Sequence, residues 1–243
     1  MKNIIPQVEF KIKNPEETLK EINEFNRESI EIILEEHFKL KKLLTNAKSK
    51  DDTIKIMNRY FRQFQKEIKG KMSAIIKTFQ RTWNSSNEDF MMNTFNLLEM
   101  DMEKYPKFTA NLSYSPIEKI NYERNEFDIY NVGDTDVKKM KQIISYNILS
   151  TLLEKKLSEL DIQSDLLKEI IIVPITGDTK IQKAFTHKPL TKEKFKMILI
   201  GDNFLQNHIN KLYKEKTSFE DFLKESWEFV EKNEQKILEQ LAY

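Results

Sequence analysis

The sequence predicts a mainly α-helical protein, with an N-terminal antiparallel helical bundle and a smaller mixed α/β C-terminal region. Three observations carry this. Only 4 glycines and 6 prolines interrupt 243 residues, and so few chain-breakers favour long helices over a many-turned β-sandwich. Apolar residues recur at steps of three and four over long stretches, the period of a helix with one buried face. Hydrophobic residues make up 39% and charged residues 33%, which supplies a core and a solvated exterior rather than a disordered chain.

In chain order, "QVEFKIK" (7–13) alternates Val8, Phe10 and Ile12 with polar neighbours, as a half-buried strand does. "NPEE" then opens a helix, with Asn14 as N-cap, Pro15 at the first helical position and two glutamates at the positive helix end. This helix is expected to reach about residue 45, with Ile30, Ile33, Leu34, His37 and Leu44 on one face. Ser49, Asp51 and Asp52 open a second helix, on which Met57, Phe61, Phe64, Ile68, Met72, Ile75, Phe79 and Trp83 share a face. Gly70 inside it suggests a kink or a close approach. "SSNED" (85–89) breaks the pattern and caps a third helix carrying Met91, Phe95, Leu98, Met102 and Tyr105, which Pro106 stops. Residues 1–105 therefore read as a helical domain with a short N-terminal strand, its three helices antiparallel.

Residues 106–243 read as a mixed α/β region ending in a long helix. Phe127, Ile129 and Val132 suggest short strands; Val137, Met140, Ile144, Ile148 and Leu152 form a helix over about 136–160. A short helix follows Ser164. The β-branched run in "EIIIVPITGDTK" (169–180) and the later "KMILIGDN" (196–203) read as strands. A helix over about 203–213 and a terminal helix, opened by Ser218 and Asp221 in a capping-box-like pair, complete the chain.

Three of the four glycines precede an aspartate: Gly133–Asp134, Gly177–Asp178 and Gly201–Asp202. As structure, glycine permits the exit from a strand and aspartate caps the next helix. As chemistry, Asp178 and Asp202 at adjacent strand ends would hold magnesium, with His187 nearby, and the chain would be an enzyme. No phosphate-binding loop, nucleotide fingerprint or nucleophile elbow surrounds them, so Asp178 reads as a cap. His37, His187 and His208 are too few and scattered for a zinc site, and with no cysteine there is no thiolate ligand or disulfide. His37 lies on an apolar face and reads as a core residue. No catalytic residue, metal or cofactor is expected.

One segment rises above background. Residues 55–81 hold eight basic residues and one acid, Glu67, a net charge of +7 in a chain whose total is +1. Lys55, Arg59, Arg62, Lys66 and Lys69 follow steps of four, three, four and three, opposite the apolar face. A solvated or partner-facing surface, a phosphate backbone and a membrane surface all fit such a stripe. The membrane reading is weakest, because neighbouring helices need the apolar face.

These features point to a non-enzymatic structural or assembly protein, homo-oligomeric, such as a connector or ring subunit of a bacteriophage particle, with the basic face near DNA or a partner subunit. The alternatives are a cytosolic, sequence-independent nucleic-acid-binding or regulatory protein, and the magnesium-dependent enzyme above. No signal-peptide-like run or apolar span of membrane length occurs, so the expected setting is the cytoplasm during assembly and then the particle, without membrane contact.

Overall fold

The computed structural model describes residues 5–24, 27–115, 119–130, 137–183 and 203–241. They form a mostly helical fold with one small mixed sheet. Strand β1 (Gln7–Ile12) leads into α1 (Pro15–Glu24), α2 (Arg27–Glu36), α3 (Phe38–Leu44) and the 49-residue α4 (Lys50–Leu98). Strands β2 (Lys107–Ser113), β3 (Ile120–Asn121) and β4 (Glu126–Tyr130) follow. Helices α5 (Val137–Glu159), α6 (Asp165–Thr176), α7 (Thr179–Lys183), α8 (Asn203–Glu215) and α9 (Phe219–Leu241) complete the described elements. None of the described helices is long and apolar enough to cross a membrane.

The N-caps fall where serine and asparagine chemistry places them. Asn14 Oδ1 accepts from Glu16 N at 3.0 Å, Ser49 Oγ from Asp52 N at 3.1 Å, Ser164 Oγ from Leu167 N at 3.1 Å and Ser218 Oγ from Asp221 N at 3.0 Å. Each satisfies a donor that the first helical turn leaves without a partner.

The sheet order is β1-β2-β4-β3. β2 and β4 run parallel, pairing Ala110 with Phe127 and Asn111 with Asp128, and β3 is antiparallel to β4. β1 lies at an edge, where bare N–H and C=O groups would invite another strand. The Gln80 side chain from α4 covers that edge: its Nε2 donates to Val8 O at 3.0 Å and its Oε1 accepts from Phe10 N at 3.4 Å. Beside it the Phe10 and Phe79 rings meet edge to face at 6.2 Å.

Three expectations are corrected. The break at 85–89 does not occur: α4 runs through it, so the second and third helices are one rod and do not fold back on each other. Ser86 and Asn87 are buried and have partners there, which removes their reason to turn: Asn87 Nδ2 donates to Pro6 O at 2.8 Å and Lys141 Nζ to Ser86 Oγ. The first helix is not continuous to 45, because His37 leaves helical geometry at φ −117°, ψ 70° and separates α2 from α3. Residues 169–176 are helical, not a strand: α6 buries Leu167, Ile170, Ile171, Ile172, Pro174 and Ile175, and burial on most sides overrides β-propensity. The other expected strand, 196–203, lies outside the described residues except for Asn203, which opens α8.

The chain divides into two compact units, neither contiguous. One draws on residues 1–7, 84–107 and 138–243, the other on 8–83 and 108–137. The second contains the sheet and a core of α4 residues that includes Phe61, Met72, Phe79 and Trp83, all fully buried.

Gly70 is exposed in α4, and a Cβ placed there meets nothing within 4 Å, so no close approach requires glycine. Gly70→Ala is expected to stabilise the protein by about 0.5–1 kcal/mol through helix propensity and reduced unfolded-state entropy. Urea denaturation of both forms measures this; an unchanged or lowered midpoint refutes it.

Candidate functional site

The five stripe residues emerge on one side of α4. Lys55, Arg59, Arg62, Lys66 and Lys69 are all exposed, while Met57, Phe61, Ile68 and Met72 on the opposite side are buried. At 1.5 Å of rise per residue the stripe is about 21 Å long. Lys71, Lys77 and Arg81 are exposed as well.

Among the described residues, ion pairing neutralises little of this charge. Arg62 Nη2 lies 3.5 Å from Glu16 Oε2, with both side chains more than half exposed, so water screens the pair. Among the described residues Lys55, Arg59, Lys66 and Lys69 form no ion pair. The nearby acid, Glu67, accepts from Gln63 Nε2 at 3.0 Å. Like charges at these spacings oppose the helix by a few tenths of a kcal/mol per pair. The face is thus an exposed row of cations along one helix, able to engage an extended anionic surface.

Asp178 behaves as a cap. Its Oδ1 accepts from Lys180 N at 2.8 Å and its Oδ2 from Tyr213 Oη at 2.9 Å. Burial, with the Asp178 charge and hydrogen bond, pushes the Tyr213 hydroxyl far above its usual range, so it stays a donor. Lys216 Nζ sits 3.6 Å from the Tyr213 ring centre, and burial holds its pKa below the ordinary lysine value. Gly177 has φ −78°, so it supplies no left-handed exit. Asp134, His187 and Asp202 lie outside the described residues. The described residues contain no cluster of three or more His, Asp or Glu able to hold a metal.

His37 is buried in an aromatic surround of Tyr60, Phe61, Phe64 and Tyr130, with ring centres 5.1–6.4 Å away, and its Nδ1 is 3.2 Å from Tyr60 Oη. This is a core position. His208 stacks on Phe229 at 3.9 Å.

The sheet-containing unit also holds a polar cleft of about 520 Å³ that sequence reasoning missed, lined by Lys13, Glu17, Glu21, Lys119, Tyr122, Asp128 and their neighbours. Lys13, just past β1, is 7% exposed and ion-paired to Asp128 on β4 and to Glu21 on α1, the latter at 2.6 Å. Lys119 Nζ reaches Glu21 at 3.6 Å, and Asp128 N donates to Lys119 O at 2.8 Å. Burial pushes the Asp128 carboxyl up to about 6, against the pull of Lys13 and with repulsion from Glu21. Burial also opposes the charge on Lys13, yet two carboxylates act on this one ammonium and raise its pKa. The sequence signal was faint: one acid inside the apolar strand "EFDIY" and one lysine ending an alternating strand.

No family model, curated protein or solved structure matches this chain.

The Asp128 pKa fixes the sign of a pH effect. A carboxyl whose folded pKa lies above its unfolded value near 3.8 adds stability at low pH, and this contribution fades as pH rises through about 6. The stability of the wild type relative to Asp128→Asn is therefore expected to fall between pH 4 and pH 7, with the Asp128 carboxyl carbon titrating near 6 by NMR. A midpoint below 4 contradicts this.

Proposed function

We propose that this chain is a non-enzymatic structural or assembly subunit that contacts an anionic partner through the basic face of α4; a connector or ring subunit of a bacteriophage particle is one such protein. The observation that carries the reading is the stripe itself: five exposed cations on the side of α4 opposite its buried seam, four of them without an ion pair among the described residues. Folding needs the other side of the helix. A charge row that slightly opposes the helix and is little compensated by ion pairs among the described residues fits a surface meant for something outside it. Sedimentation at low ionic strength tests the assembly reading: a defined oligomer is expected, and a monomer at every concentration overturns it.

A second reading, sequence-independent contact with nucleic acid, draws on the same exposed row. Five cations allow at most about five phosphate contacts per subunit, so affinity for random-sequence DNA is expected to fall with salt on a log–log slope no steeper than roughly −4 to −5. Replacing Arg59, Arg62 and Lys66 with Gln should flatten that slope by up to about three units and leave the fold intact, because those positions are exposed. Equal binding by wild type and the triple variant removes this reading.

A further inference from the structure

The chain carries a second charged helix face of opposite sign. Helix α9 holds seven acids and three lysines, a net charge of −4, whereas residues 55–81 carry +7. On α9, Phe222, Leu223, Ser226, Val230 and Ile237 are buried, so Asp221, Glu225, Glu228, Glu231 and Glu234 are turned outward and exposed. Asp221 is engaged by the Ser218 and Thr217 hydroxyls, and Glu220 by Lys224 at 2.6 Å. Glu225, Glu228 and Glu231 follow at steps of three and make no ion pair among the described residues.

We infer that the basic face of α4 docks on the acidic face of α9 in a second copy of this chain. This rests on the assembly reading above and names its partner. The basic positions form a straight row on α4, whereas on α9 Glu225, Glu228 and Glu231, at steps of three, wind about 60° per step across the exposed side, which also carries Lys224, Lys232 and Lys236 and remains net acidic. Two helices 8–10 Å apart let long Lys, Arg and Glu side chains interdigitate along such faces. Exposed pairs taken singly add little, but complementary rows set partner, register and encounter rate. The two faces are different patches of one sequence, so the contact is heterologous. Every copy then offers a basic face to one neighbour and an acidic face to another, which closes into a ring or propagates as a filament.

The full-length protein tests this by sedimentation velocity and native mass at low and high salt. One variant reverses the basic row (Arg59→Glu, Arg62→Glu, Lys66→Glu); a second reverses the acidic row (Glu225→Lys, Glu228→Lys, Glu231→Lys). All six positions are exposed, and circular dichroism verifies that each variant is folded. The wild type should associate at low salt and dissociate as salt rises. Each reversal alone should weaken association by about tenfold or more, since like charges then face each other. An equimolar mixture of the two variants should restore assembly, because each reversed row meets a complementary one. This rescue also excludes misfolding as the cause of the loss. An oligomer that survives either reversal overturns the α4–α9 pairing but leaves the assembly reading standing, and a wild type that stays monomeric overturns both. Loss of association in the basic variant alone, with random-sequence DNA bound by the wild type, assigns the face to a phosphate backbone and overturns the pairing.

Discussion

Burial of one apolar seam along α4 is the constraint on which the rest depends. Met57, Phe61, Ile68, Met72, Ile75, Phe79 and Trp83 lie on it in the sheet-containing unit; Phe90, Met91, Phe95 and Leu98, which belong to the other unit, are buried as well. A fully buried side chain of this kind contributes about 1.5–3 kcal/mol relative to exposure, so the seam outweighs any local preference of the residues between. It holds Ser85, Ser86 and Asn87 in the helix although their side chains favour turns. With the seam inside, residues about half a turn away must face water, and these are Lys55, Arg59, Arg62, Lys66 and Lys69.

Buried polar groups position what the apolar core alone would leave loosely specified. Gln80 pairs with both backbone groups on the open edge of β1, which sets that strand's register against α4. Lys13 ties the end of β1 to α1 and β4 through Glu21 and Asp128. Lys168 does the same in the other unit, its buried ammonium held by Glu154 at 2.7 Å and Asp165 at 2.9 Å. Such pairs are weak sources of net stability, because removing charge from water costs about what the attraction returns. Burial raises the Asp128 carboxyl and opposes the charge on Lys13, whose two carboxylate partners raise its pKa, so burial and pairing oppose each other within one cluster.

Helix α4 carries a net charge of +4 and helix α9 a net charge of −4. An overall charge of +1 hides this polarity, which appears only when each helix is taken by itself. Charged helix faces of opposite sign suit contacts that are selective and sensitive to ionic strength rather than tight through apolar burial.

Much of the architecture was legible because it is set by neighbours a few residues apart. The period of three and four located α5 and the helical stretches of α4, though not their continuity, alternation located β1, and Asn14, Ser49, Ser164 and Ser218 marked helix starts, the last of them that of α9. The basic row was legible for the same reason, since periodicity places it opposite the apolar side without any tertiary information. Tertiary structure decided the rest. Whether 85–89 turns or continues depended on Asn87 finding Pro6, 81 residues away, and Ser86 finding Lys141. Whether Ile170–Val173 is strand or helix depended on being enclosed on most sides, which a continuous apolar run cannot signal. The polar cleft required Lys13 and Asp128, 115 positions apart, to meet. Local pattern fixes which face of an element turns inward, but a buried polar group is tolerated only where a distant partner satisfies it, and that partner exists only once the chain has folded.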